Sequence, residues 1–197
     1  MRRGRAERGQ YRGGLGLSVV AVSALVALLG LRADLASKLR DPVYLRESGA
    51  LLLSFVFAGS STFRLATPGL GESRALRLLP SFALLSWLAL VGLRYPAPVD
   101  SGAASEAAGW ACVWRMLALS FVPGAALFGM LRQGAVFTRA WAASLVVLAS
   151  AALAMLGTQA ICAKDGAHHV LLWHCVPLAA AVFSGAVLGR TLFSSSR

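Results

Sequence analysis

Acidic side chains are scarce in this chain: eight Asp and Glu among 197 residues, none of them inside its long apolar runs. Paired carboxylates for general acid–base chemistry are therefore missing from its interior, as are the intramembrane acids on which proton- and cation-coupled pumps depend. Cysteine and histidine are equally sparse, at three residues each. That is too little sulfur for a disulfide scaffold, and no Cys-x-x-Cys or His-Glu-x-x-His spacing announces a metal centre. No Ser or Cys nucleophile has a recognisable base at a characteristic spacing, and Gly69-x-Gly71 has neither a preceding strand nor a phosphate-loop lysine after it. The chain reads as a non-enzyme with no cofactor. Charged residues make up 14% against 57% hydrophobic ones, which excludes both disorder and an ordinary soluble domain.

What the chain has instead is six apolar runs, most close to the roughly twenty residues that cross a bilayer core. They are 14–31, 48–65, 78–93, 110–131, 140–161 and 170–189. The first is too long for the apolar core of a cleavable signal, and Leu29-Gly30-Leu31-Arg32 lacks a small-x-small cleavage site. The second is the weakest, diluted by Ser54, Ser60, Ser61 and Thr62, with Arg64 near its end. The expected fold is all-α and polytopic: a bundle of six transmembrane helices over 14–190, between a short basic tail at 1–13 and another short tail at 191–197. In a soluble protein the net charge of +11 would suggest nucleic acid. Here twelve of the nineteen Lys and Arg fall in the alternate flanks that include both ends. The opposite flanks hold seven, four of them in the loop after the first run, offset by six of the acids. The positive-inside rule then puts both termini in the cytoplasm, with the lipid bilayer rather than nucleic acid as the direct contact.

Thr67-Pro68-Gly69-Leu70-Gly71 reads as an inner turn, and the outer loop from Tyr95 to Gly102 is the longest turn-rich stretch. Pro123 and Pro177 lie within spans and are expected to kink them, while Pro80 is near enough to a helix start to be accommodated. Small residues such as Ala142, Ala143, Ser144, Gly185 and Ala186 suit close helix contact in lipid.

The rare polar residues gather at the outer face. Cys112 belongs to the first outer turn of the fourth span, Cys162 to the outer end of the fifth, and His168 and His169 to the outer start of the sixth; His174 and Cys175 follow one and a half to two turns deeper. Cys112 and Cys162 stand at matching heights on antiparallel neighbours, so a disulfide is open to them if their Cα atoms come within about 7 Å. Three readings of the group stand side by side: packing only, a thiol pair switching between reduced, oxidised or metal-bound forms, and a permanent structural metal site. His168 and His169 are candidate auxiliary metal or proton ligands, with the metal itself unspecified. His174 is read as hydrogen-bonding a neighbouring helix, Arg115 as snorkelling outward beside Trp110 and Trp114, and Thr158 and Gln159 as able to bond the cluster.

At these same residues the sequence resembles the NrsF family, six-span inner-membrane proteins described as negative regulators of an extracytoplasmic-function sigma factor. The resemblance runs from about Leu15 to Arg190. It rests on Leu31-Arg32-Ala33-Asp34-Leu35 followed by Asp41-Pro42; Arg64 with Pro68-Gly69; Cys112 before Leu119 and Pro123; Leu131-Arg132-Gln133-Gly134-Ala135; and Cys162 followed by Asp165, Trp173 and Leu188-Gly189-Arg190. The resemblance implies that the membrane domain holds a sigma factor inactive on the cytoplasmic side, and that Cys112 and Cys162 are sensing thiols for heavy-metal or oxidative stress in the periplasm. His174 and Cys175 depart from the family pattern and receive no role. The basic stretch before the first span also departs from it, since it is short and forms no convincing amphipathic helix for grasping a partner. The opposing expectation is a small membrane carrier or assembly subunit whose Cys/His cluster is a ligand site or packing.

Overall fold

The computed structural model describes residues 2–66, 74–94, 106–133, 139–164 and 166–192. The turn at 67–71, the loop at 95–102, Gly134-Ala135, Asp165 and residues 193–197 lie outside the described residues. Everything described is helix or short connection, with no strand among the described residues. In chain order the elements are α1 (Arg2–Leu29), α2 (Leu35–Lys38), α3 (Pro42–Ala66), α4 (Arg74–Leu93), α5 (Glu106–Gln133), α6 (Arg139–Ile161), α7 (Ala167–Val170), a π-helical turn over Leu171–Cys175, and α8 (Val176–Leu192). The last three form one continuous rod, because the residues joining them keep right-handed helical angles.

Four segments are long and apolar enough to cross a membrane: Pro42–Leu65, Ala108–Arg132, Ala140–Ile161 and Ala167–Val187. Gly13–Leu29 and Leu78–Leu93 are shorter apolar helices. The second run, expected to be the weakest, is thus among the long helices. Its mean hydropathy, 1.2, is the lowest of the four; Ser54 and Thr62 are buried and donate to carbonyls one turn back, Ala50 at 2.8 Å and Ala58 at 2.9 Å, so they bring no unsatisfied group into the bundle. The N-terminal stretch is helical too: α1 begins at Arg2 and runs unbroken into the apolar segment. It contains no proline, and helix propagation from a formed apolar rod costs far less than nucleation.

α6 is the axis of the bundle. It packs against α1, α3, α5 and α8, and the face-independent burial of Ala142, Leu145, Ala149, Ala152, Ala154 and Met155 shows that it is surrounded. Large apolar side chains point away from this core instead of into it, among them Leu28, Phe82, Phe121 and Phe183. An exterior of this kind suits lipid and marks a membrane protein.

Neighbours run antiparallel. A Cβ at Gly14, halfway along α1, would meet Met130 near the end of α5, and one at Gly185 in α8 would come within 2.8 Å of Val147 and 3.3 Å of the Ala143 carbonyl in the first half of α6. At the other end, the finish of α1, α4 and α6 gathers with the start of α3, α5 and the α7–α8 rod. Glu47 and Arg94 close that end between α3 and α4 with a 2.7 Å ion pair in which the carboxylate is buried. Ser48 and Gln159 link α3 to α6 there through a 3.0 Å hydrogen bond.

Gly185→Val should therefore push α8 off α6 and lower stability by about 1–3 kcal/mol, the usual range for overpacking. Thermal denaturation of the detergent-solubilised protein reads this, and Gly92→Val, where nothing lies near the added atom, should leave the midpoint almost unchanged.

A buried thiol and imidazole cluster at one end of the bundle

Four of the rare polar residues meet at the gathered end. One donor atom from each of Cys112, Cys162, His169 and His174 lies within 4.8 Å of every other, and all four residues are buried. Cys112 comes from the first turns of α5, Cys162 follows the last residue of α6, and the two histidines come from the α7–α8 rod. The two thiols are free and 3.1 Å apart, and Cys162 Sγ is 3.9 Å from His169 Nε2.

The two histidines share a face for a local reason. In an α-helix, five residues advance by about 500°, which would send residues 169 and 174 to faces about 140° apart. The π turn over Leu171–Cys175 widens the coil to an i→i+5 pattern and brings them into line, with ring centroids 5.5 Å apart and planes at 65°. The same turn stands just before Pro177, whose ring crowds the carbonyl four residues earlier and has no N–H to give it. Trp173, on the neighbouring face, stacks edge-on against Trp110 at 5.6 Å and fills the space beside Gly109, where any Cβ would collide with its indole.

The sequence-based assignments divide at this point. Cys112, Cys162 and His169 come together; His168 is exposed and stands outside the group, because adjacent residues of a helix point about 100° apart. His174, given no role from the sequence, joins it. Cys175 is half-buried and is not among the four. Thr158 Oγ1 donates to its own helix at Ala154, and Gln159 accepts from Ser48, so neither shows a bond to the cluster. Arg115 is exposed. Trp110 pairs with Trp173, whereas Trp114 is exposed.

A further group was not foreseen. α1 ends at Gly30, whose positive φ of 85° lets the chain turn back as few other residues allow, and Arg32 then folds over the C-terminus of α6. Its backbone N–H donates to the Ala160 carbonyl at 3.0 Å, and its buried guanidinium donates to the Cys162 carbonyl at 2.9 Å. The same guanidinium holds Asp34 in a two-pronged pair at 2.6 and 2.8 Å. A cation over the last carbonyls of a helix satisfies orphan acceptors and meets the negative end of the helix dipole. The Arg32 guanidinium in turn keeps the Asp34 carboxyl below the usual carboxylate range. Arg32-x-Asp34 is the only sequence signal of this clamp, and it does not reveal the carbonyls that complete it.

Chemically, the thiols can ionise, join each other or take a metal. The hydrogen bond from Cys112, assisted by His169 and His174, holds the Cys162 thiol below its ordinary range, even though burial opposes this. Cys162 has both the second thiol at 3.1 Å and the His169 imidazole at 3.9 Å beside its sulfur. Nothing in the cluster resembles a catalytic triad, since no acid orients either imidazole among the described residues.

Mild oxidation of the purified protein should join Cys112 to Cys162 and leave Cys175 open to alkylation, read by mass spectrometry of the cross-linked peptides. Arg32→Ala should destabilise the detergent-solubilised protein by about 2 kcal/mol through the loss of charge-assisted bonds to carbonyls and Asp34. Arg32→Lys should recover little of this, because an ammonium cannot span the same fork of acceptors.

No curated protein and no solved structure matches the chain significantly. A protein-family model, NrsF, described as a negative regulator of sigma F, matches residues 1–194. That match takes in the clamp, all four members of the cluster and every described helix, so this chain belongs to the NrsF family of negative regulators of a sigma factor.

Proposed function

We propose that this chain is an inner-membrane anti-sigma factor that crosses the bilayer six times with both termini inside. In this reading it withholds an extracytoplasmic-function sigma factor from RNA polymerase and releases it when the Cys112–Cys162 pair is modified from the periplasm by heavy metal or oxidant. The observation that carries the sensing half is the pair itself: two free thiols 3.1 Å apart, buried in an end of the bundle where Cys162 is also tied to Arg32. The regulatory half is supported by membership of the family. Four long helices and two shorter apolar ones, alternating in direction, support the six-span topology.

Oxidation would convert two S–H groups to one S–S bond, with two protons released and two electrons passed to an oxidant such as a peroxide or a disulfide. Either that reaction or metal capture changes what the Cys162 sulfur is bonded to, and the Cys162 carbonyl is held by Arg32 at the end of α1. The change is thus passed to α1, which packs along α5. The inner connections around Arg74 and Arg132, with the N-terminal turns of α1, are the surfaces through which the sigma factor would be held.

The test is a sigma-dependent reporter in cells carrying Cys112→Ser and Cys162→Ser together. Wild type should switch on under cadmium or an organic oxidant, while the double variant, present in the membrane at equal level, should stay off. A double variant that responds like wild type removes the sensing role. Reporter fusions at each terminus address the topology separately, and a periplasmic signal from either one overturns it.

A further inference from the structure

We infer that Cys112, Cys162, His169 and His174 form one tetrahedral site for a single divalent cation of the zinc–cadmium class. The inference deepens the sensing reading and rests on it only for what the site is used for, not for its existence.

The donor set is the first reason. Two thiolates and two neutral imidazoles are a closed ligand set for zinc, and thiolate with imidazole favours soft and borderline cations over magnesium or calcium. The separations are the second. Zn–S and Zn–N bonds of about 2.3 and 2.0–2.1 Å at tetrahedral angles place two sulfurs about 3.8 Å apart and a sulfur and a nitrogen about 3.6 Å apart. Here the sulfurs stand at 3.1 Å, Cys162 Sγ and His169 Nε2 at 3.9 Å, and no pair exceeds 4.8 Å. Small side-chain rotations close the difference.

Charge agrees. A divalent cation on two thiolates and two neutral imidazoles has no net charge, so the loaded site suits a place withdrawn from water, where an unbalanced ion would be costly. Loading releases two thiol protons to solvent. His169 faces Cys162 through Nε2, the nitrogen placed to ligate. The π turn supplies the local reason for the geometry, since it is what aligns two histidines five residues apart. The cluster also borders a small cavity. A cavity of about 30 Å³, wide enough for a water molecule, has Cys162 and His174 in its wall, together with Asp41, Glu47 and the basic residues Arg32, Lys38, Arg94 and Lys164.

The experiment is a titration of the reduced, full-length, detergent-solubilised protein with Co(II). Saturation at one equivalent is expected, with the visible bands of a tetrahedral ion and the near-ultraviolet charge-transfer bands of thiolate ligands, reversed by Zn(II) or Cd(II). His169→Gln and His174→Gln should each weaken binding by more than the roughly 10- to 100-fold that outer-shell changes cost. X-ray absorption on the Zn(II)-loaded wild type, which needs no substitution, should find two sulfur and two nitrogen scatterers. Absence of binding by reduced wild type overturns the site, and so does unchanged affinity in both histidine variants or a shell with fewer than two nitrogens. The two readings fail separately. A reporter that answers oxidant through the cysteines in a protein that binds no Co(II) keeps the sensing and loses the site; a bound tetrahedral ion with an unresponsive reporter does the reverse.

Discussion

A polar group drawn into an apolar helix bundle has no water to turn to, and at the gathered end of this molecule the Arg32 guanidinium shows the constraint at its most demanding. Removing it would strand the carbonyls that end α6 and the charge of Asp34 together. Because Arg32 also bonds through its backbone to Ala160, the end of α1 and the end of α6 are one mechanical piece. Cys162 belongs to that piece by its carbonyl and to the thiol cluster by its sulfur. The residue that carries the chemistry is therefore fixed by the interaction that closes the bundle.

The rest of that end follows the same logic of internal satisfaction. Glu47 is buried because Arg94 reaches it, and the half-buried Gln159 is met by Ser48. Serines and threonines along the helices turn their hydroxyls back onto carbonyls one turn earlier. Four buried ring nitrogens have no hydrogen-bond partner among the described residues: those of Trp87 and Trp141, and one on each of His169 and His174.

What was legible in the sequence was whatever depends on hydropathy and helix length. The apolar runs located the helices because a charge-free stretch near membrane length has little else to become. Cys112 and Cys162 were legible for the same reason: each sits at a helix end, and antiparallel helices put such ends side by side. Choosing between His168 and His174 was beyond that method. Regular α-helical geometry separates His174 from His169, and only the widened turn before Pro177 brings them together. Arg32 was hidden differently, for its acceptors belong to residues 162 and 163, far along the chain. Ser54 and Thr62 lower the hydropathy of their run, yet a hydropathy sum does not register a hydroxyl already bonded to its own helix.

The proposed sensing reading places a demand on how the signal is read. A disulfide would draw the two sulfurs together from 3.1 Å, while a tetrahedral cation would spread them to about 3.8 Å. One output that answers both agents cannot follow the direction of that movement. Two effects are common to both modifications: the hydrogen bond between the thiols is lost, and Cys162 becomes fixed to a partner on α5. With its sulfur held by α5 and its carbonyl by Arg32, Cys162 would then couple α5 to the end of α1, two helices already in contact along the bundle. The element to be biased is thus the packing of α1 on α5 and α6, where Gly157 leaves room for Val22 and Val26 and a single added methyl group would press on both.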